Sequence, residues 1–434
     1  MTAPKQARIH HADLWGTREA KTAWLDAHDL RHTPWQALQP TAGLYLFVPR
    51  DERLAQTYQA FPSMPQLFPV NSVGIVTARD HLTIHWTPDE VWRTVLAFAR
   101  MDPELARKGY RLGKDAKDWK VTWAQKDLVD SGPSRHNVVP ILYRPFDIRH
   151  TYYTGNSSGF HCRPRPDVMR HMVQANLALM TCRQLSKAGW AHAWVSPSLT
   201  DDCMVSNKTK ERGYVFPLYS YPEASRDDLF AHLEPSQRRP NLHAKLLPAL
   251  AEAYGRAPSP EEVFHYLYGV LYAPAYREQY AEFLRIDFPR VPFTQDAALF
   301  GQVAALGERL TELHLLRSPE LDPPSARFEG QGDGKVAKGT KAGLRYDAAE
   351  QRVYINAQQH FAPVPQAVWD YRVGGYQVCE KWLKDRRERR LSTEEIKTYC
   401  RIVTALGKTI EIQQALDGLY PAIEESLLPI RLDS

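Results

Sequence analysis

The chain has 434 residues, 43% apolar and 24% charged, with a formal net charge of +5, which is enough length for two or three cores and the balance of an ordinary globular protein. It holds no run of roughly eighteen uncharged apolar residues of the kind a membrane span needs, and the opening MTAPKQARIHHADLWG has no apolar core of the secretory type. Its five cysteines (Cys162, Cys182, Cys203, Cys379, Cys400) are odd in number with no C-x-x-C pair, so disulfide-framework and zinc-ribbon classes are not expected and a cytoplasmic location is.

In chain order, LYLFV (44–48), VGIVT (73–77) and LTIHW (82–86) read as strands. Thr87-Pro-Asp-Glu90 then has the spacing of a capping box and predicts a helix start, because a Thr cap and a Glu three residues on can exchange hydrogen bonds. LALMTCRQ (177–184), HAWVS (192–196) and YVFPLY (214–219) are further strands, and the polar stretch 221–262 connects this strand-rich part to a helical one. Ser259-Pro-Glu-Glu262 opens a helix with Val263, Phe264, Leu267, Val270 and Leu271 on one face, ending near Pro274. The breaker-rich stretch 318–343 reads as loop, RVYIN (352–356) as a strand, and Ser392-Thr-Glu-Glu395 as the start of a long C-terminal helix carrying Ile396, Tyr399, Ile402, Val403, Leu406 and Ile410.

The motifs that suggest bond-making chemistry fail on inspection. Asp322-Pro-Pro-Ser325 and Phe328-Glu-Gly-Gln-Gly332 resemble two amino-methyltransferase motifs, yet both lie in one loop and Ser325 stands where an aromatic ring would stack on a base. Gly330 to Lys335 lacks Walker spacing. No histidine pair with helical metal-ligand spacing falls on a plausible helix, and His161, Cys162, Cys182 and Cys203 are supported as a metal site by residue type alone. No catalytic or metal residue is assigned.

The stretch ILYRPFDIRHTYYTGNSSGFHCRPRPDVMRH (141–171) is different. Residues 143–187 carry seven Lys or Arg against two Asp, an excess equal to that of the whole chain. Arginine forks suit phosphate and guanine, and Asn or Gln suits adenine, so Arg144, Arg149, Tyr152, Arg163, Arg165, Arg170, Arg183, Gln184, Asn207, Lys208 and Lys210 are candidate DNA contacts. Gly155-Asn-Ser-Ser-Gly159 can present a turn to a groove, and Pro166 can start a short helix. A second basic run, 381–390, adds Lys384 and Arg386, with a solvated helix face as the alternative. An Arg144–Asp147 ion pair at a structural corner stays open beside the DNA reading, which requires the cations between 144 and 210 to share one exposed surface.

Four blocks carry a resemblance: VPILYRPFDIRHTYYTG...GFHCRPRPDVMRHM, TDDCMVSNKTKERGYVFPLY, YLYGVLYAPAYREQYAEFLRIDFPRVPF and VWDYRVGGYQVCEKWLKDRR, with HHADLWGTREAKTAWL and NSVGIVTARD ahead of them. In this order they resemble the C-terminal target-recognition (specificity) region of type ISP restriction-modification enzymes and related N6-adenine methyltransferases. The resemblance implies sequence-specific binding of double-stranded DNA in a restriction-modification or related defence system. It also implies a methyltransferase chain or domain as partner, with S-adenosylmethionine as that partner's cofactor and none in this chain. The family's N-P-P-aromatic motif is missing, since Asn-Pro occurs nowhere. Adenine methylation by this chain through another motif, or an inactive remnant, are the alternatives. The expected fold is α+β: a segment (1–60) leaving a methyltransferase core, a strand-rich target-recognition module (61–235), a helical module (236–320), and loop, short strands and C-terminal helices (321–434) closing the structure.

Overall fold

The computed structural model describes residues 7–40, 47, 54–186, 189–208, 211–222, 237–339 and 343–432. Lys210 and most of the strand expected at 44–48 lie outside these. The chain divides into two compact units, Met1–Thr57 and Tyr58–Ser434. In the first, strands Ile9–His11 and Gln36–Leu38 pair antiparallel around a helix, Arg18–Ala27, none of whose residues is buried.

The second unit mixes helices and small sheets, an α+β fold. After the short strand β1 (Ser72–Val73), the run 82–86 departs from expectation: Asp80–Thr83 closes a helical turn, with Ile84 N–H donating to the Asp80 carbonyl at 2.7 Å. Leu82 and Thr83 are both buried, so the apolar alternation that suggested a strand is that of a turn facing the core. Helix α1 (Pro88–Arg100) begins as its capping box requires: Thr87 Oγ1 accepts from Glu90 N at 3.2 Å and Glu90 Oε2 accepts from Thr87 N at 3.1 Å. It buries Val91, Val95 and Phe98, spaced one and two turns apart, in a core shared with Ala124 and Leu128 of α2 (Val121–Asp130) and with Trp119, Tyr152 and Phe160. That core seats the helices on the long hairpin of β2 (Val138–Arg144) and β3 (Asp147–Tyr152).

Beyond the seven-residue helix α3 (Pro166–Met172) come β4 (Ala178–Cys182), β5 (Ala193–Ser196), β6 (Leu199–Thr200) and β7 (Gly213–Pro217). β6 joins β2 in parallel, while the others form an antiparallel sheet in the order β1-β7-β4-β5 whose central strand β4 is buried throughout. The helical layer holds α4 (Pro260–Tyr272), α5 (Ala297–His314) and the C-terminal helix α7 (Thr393–Glu425), with α6 (Val378–Lys384) ahead of the last. α4 and α7 open on the capping boxes of Ser259 and Ser392, and α4 ends at Tyr272, before Pro274. The breaker-rich stretch is not all loop: β8 (Arg327–Glu329) pairs with β11 (His360–Ala362), which continues through β10 (Arg352–Tyr354) to β9 (Arg345–Asp347).

Buried His314 ties these layers together. Thr409 Oγ1 donates to the Ala405 carbonyl at 2.7 Å, so it accepts from His314 Nε2 at 3.0 Å, and Nδ1 is left to accept the Tyr268 hydroxyl at 2.7 Å. The ring stacks on Trp194 of β5, centroids 4.4 Å apart. Burial pushes its pKa down to about 3, so the neutral imidazole belongs to the folded state. A second tie is the turn at Gly374, at φ +55°, whose N–H donates to the Ala191 carbonyl at 2.7 Å; a Cβ there would collide with the Val205 carbonyl oxygen.

These ties and an exposed glycine of α7 give three predictions. A histidine whose folded pKa is depressed contributes stability that is present above its unfolded pKa and is lost as pH falls from about 6.5 toward about 3. Urea-unfolding stability is therefore expected to fall as pH drops across that window, and His314→Asn to show a shallower fall; an unchanged slope would mean that this imidazole is not held neutral. Gly374→Ala is expected to lower stability by at least about 1 kcal/mol. Gly418→Ala, exposed within α7 with nothing within 4 Å of a new Cβ, should raise it by about 0.5–1 kcal/mol, both read from denaturation midpoints.

Candidate nucleic-acid interface

The corner Arg144-Pro-Phe-Asp147 decides where the first charges go. Arg144 ends β2 and Asp147 begins β3, opposite one another in register, with Phe146 at φ +59° between them. The structure splits the ion pair that this proximity suggests. Arg144, 7% exposed, sends Nη1 to Asp201 Oδ1 at 2.6 Å. Asp147 instead accepts from Arg149 Nη2 at 2.8 Å on one oxygen and from Arg386 Nη2 at 3.0 Å on the other. Burial pushes the Asp147 carboxyl up, but the guanidinium charges of Arg386 and Arg149 outweigh it and hold the group below the usual carboxylate range. Arg149 lies 3.8 Å from the Trp86 ring centroid and 4.1 Å from that of Tyr143. Arg386 lies 3.4 Å from that of Trp382 and also bonds Glu395 Oε1 at 3.1 Å.

The expectation that Arg144, Arg149, Tyr152 and Arg386 face DNA is thereby corrected. Arg144 and Arg386 are buried on carboxylates, and Arg149 is nearly so. Tyr152 is fully buried, its hydroxyl accepting from Ser134 N at 3.0 Å and Asn137 Nδ2 at 3.2 Å. The physical reason is that a buried guanidinium requires its carboxylate partner, and these partners stand 57 and 239 residues away in sequence. The cations between 144 and 210 therefore do not share one exposed surface.

Others do reach solvent. Arg163 is half exposed, 3.2 Å from Asp118, and its backbone bridges Val76. Arg165, at φ +56° ahead of α3, is half-buried, its Nε enclosed without a hydrogen-bond partner, and has no carboxylate within 4.0 Å among the described residues. Arg170 is half-buried and donates to the carbonyls of Tyr221 and Pro222 at 3.3 and 3.2 Å, a structural use of its charge. Arg183, Gln184, Asn207 and Lys208 are exposed and come together: Cys182 pairs with Gly213, and Ser186 N–H donates to Glu211 Oε1 at 2.9 Å, which joins 183–186 to 206–212. Arg183 contacts Asp287 at 2.9 Å, Lys208 contacts Glu211 at 3.7 Å, and Lys384 pairs with Glu380 along α6 at 2.8 Å. Arg183–Asp287 and Lys384–Glu380 are surface pairs worth about 0–1 kcal/mol, so phosphate can displace the carboxylate at small cost, whereas Glu211 is a buried carboxylate held by Ser186 and Ser206.

The turn 155–159 is built as a fixed loop. Asp127 of α2 accepts from Thr154 Oγ1 at 2.9 Å, Asn156 Nδ2 at 2.8 Å and Phe160 N at 2.7 Å, which leaves Asn156 and Ser157 exposed at its tip. Sequence reading missed Asp127, as it missed Asp201 and Trp86, because nothing local marks a carboxylate or a ring that serves a distant loop. Asp201, Asp202 and Cys203 are the one group among the described residues whose ligand atoms converge as a metal site would. Arg144 and Arg212 already neutralise its two carboxylates. His161, Cys162 and Cys182 do not join it.

Comparison with known proteins places this arrangement. No curated protein matches the chain. Its fold is similar to that of a DrdV–DNA complex (TM-score 0.69, 21% identity, 93% of this chain and 42% of that one). It is also similar to a nuclease-deletion mutant of the Type ISP restriction-modification enzyme LlaGI in complex with a DNA substrate mimic (0.63, 18%, 94% and 33%). A third similar structure is the ATP-dependent Type ISP enzyme LlaBIII bound to DNA (0.63, 16%, 88% and 25%). The chain thus spans less than half the length of each. The family model described as the Type ISP C-terminal specificity domain matches residues 66–415, and the chain belongs to that family.

Proposed function

We propose that this chain reads double-stranded DNA as the specificity part of a restriction-modification or related defence system, and that it directs an adenine methyltransferase carried elsewhere. The single cationic surface expected between 144 and 210 does not form, and the reading is carried instead by the family match over residues 66–415. Relatives of the same fold described in complex with DNA support it. Their remaining length leaves room for a methyltransferase outside the shared fold. Such an enzyme must extrude its adenine from the duplex at a cost of a few kcal/mol, and it gains from a second surface that holds the DNA. S-adenosylmethionine belongs to that enzyme in this reading, and no residue of this chain makes or breaks a bond.

The proposed contacts are Arg163 and Arg165 on phosphate, with Arg183, Gln184, Asn207, Lys208 and Lys384 as further contacts and the Asn156–Ser157 tip at a groove. Each phosphate neutralised releases counterions and adds about 0.9 to the slope of log affinity against log salt. Titrating duplexes of mixed sequence against the full chain over a range of KCl concentrations is expected to show preference for one site and a steep slope. Arg163→Ala and Arg165→Ala should each reduce that slope by about one. Equal affinity for every duplex, or slopes unchanged in both variants, would overturn the reading.

A further inference from the structure

Residues 107–126 carry seven basic side chains (Arg107, Lys108, Arg111, Lys114, Lys117, Lys120, Lys126) against Asp115 and Asp118, an excess of five, the same as that of the 143–187 stretch. The fate of the charge differs. Both acids are occupied by arginines, Asp115 by Arg107 at 2.9 Å and Asp118 by Arg163 at 3.2 Å, and Lys126 pairs with Asp130 at 2.6 Å. Lys108, Arg111, Lys114 and Lys117 are exposed, with no carboxylate within 4.0 Å among the described residues. Lys120 projects over the exposed Trp123 ring, 4.3 Å from its centroid.

The loop that carries them is held firmly. Arg79 donates through Nε to the Leu112 carbonyl at 2.7 Å and through Nη2 to the Lys114 carbonyl at 3.0 Å, while Leu112 and Trp119 are buried beneath it. Trp119 Nε1 reaches the Phe160 carbonyl at 3.4 Å, and Cys162 Sγ donates to the Asp118 carbonyl at 3.4 Å. The loop therefore abuts residues 160–163, and its lysines are continuous with Arg163 rather than a separate patch.

We propose that the surface of Arg111, Lys114, Lys117 and Lys120 grips the phosphate backbone of the duplex next to the contacts of Arg163 and Arg165; this rests on the reading of the chain as a DNA-binding specificity domain. Lys114, Lys117 and Lys120 are mobile point charges without the fork that reads a base edge, so these lysines add affinity without sequence preference. Its backbone is already ordered, so only side-chain freedom is lost on contact.

The test is the variant Lys114→Ala/Lys117→Ala/Lys120→Ala in the full chain, with fluorescence anisotropy on preferred and unrelated duplexes across KCl concentrations. Affinity is expected to fall about tenfold or more on every duplex, with the salt slope smaller by about two to three and the site preference kept. The thermal midpoint, measured alongside, should stay close to that of the parent chain, because Lys114 and Lys117 are exposed and Lys120 gives up only a surface contact with Trp123. A variant that matches the parent in affinity and slope, while the parent binds DNA, overturns this surface alone. A parent that binds no duplex overturns the specificity reading with it. Loss confined to binding of phosphatidylserine vesicles would assign the lysines to a membrane instead and equally end the proposal.

Discussion

One buried carboxylate holds the functional half of this molecule to its C-terminal segment. Asp147 receives Arg149 from its own hairpin and Arg386 from 239 residues later. Removing one partner of such a group typically costs about 3–5 kcal/mol, because the charge left behind is neither solvated nor paired. The hairpin and the segment that follows α6 therefore stabilise one another. The surroundings agree: Trp382 Nε1 bonds the Phe146 carbonyl at 3.3 Å, and Trp86 lies against Arg149, Arg386 and Arg389. Conjugated rings around guanidinium groups supply attraction without water, which suits a charge that must stay inside.

The same constraint divides the basic residues into two populations that composition cannot separate. Of the candidates gathered around 141–171, Arg144 and Arg149 serve the interior, and Arg170 caps backbone carbonyls. Arg163, set before a proline after a rigid loop, remains outside, and Arg165 beside it is half-buried. Counting charge along the chain found a cationic region but not the face it occupies. It singled out a segment whose arginines are largely consumed and passed over 107–126, whose excess of charge is the same.

What was legible in the sequence was local. The capping boxes at Thr87, Ser259 and Ser392 formed as written, since a cap and its reciprocal Glu need only one turn of chain. Strands β4, β5 and β7 were visible because they are buried apolar runs. The errors came where pairing decides: residues 327–329 became a strand only by meeting 360–362, and 82–86 lost its strand to a turn closed by Asp80. Blocks of residues in family order identified the specificity domain where periodicity alone gave only α+β, because such blocks encode long-range packing that spacing does not.

The ion pairs left at the surface bear on how a specificity domain can bind without wasting energy. Arg163–Asp118 and Arg183–Asp287 each hold a cation in a defined place at little net stability. A carboxylate beside the cation also weakens non-specific attraction to any polyanion, so a phosphate must arrive at the right distance to replace it. Arg165, without such a guard, and the lysines of 107–120 would supply the general pull that the guarded residues then refine. On this argument affinity and discrimination reside in different side chains.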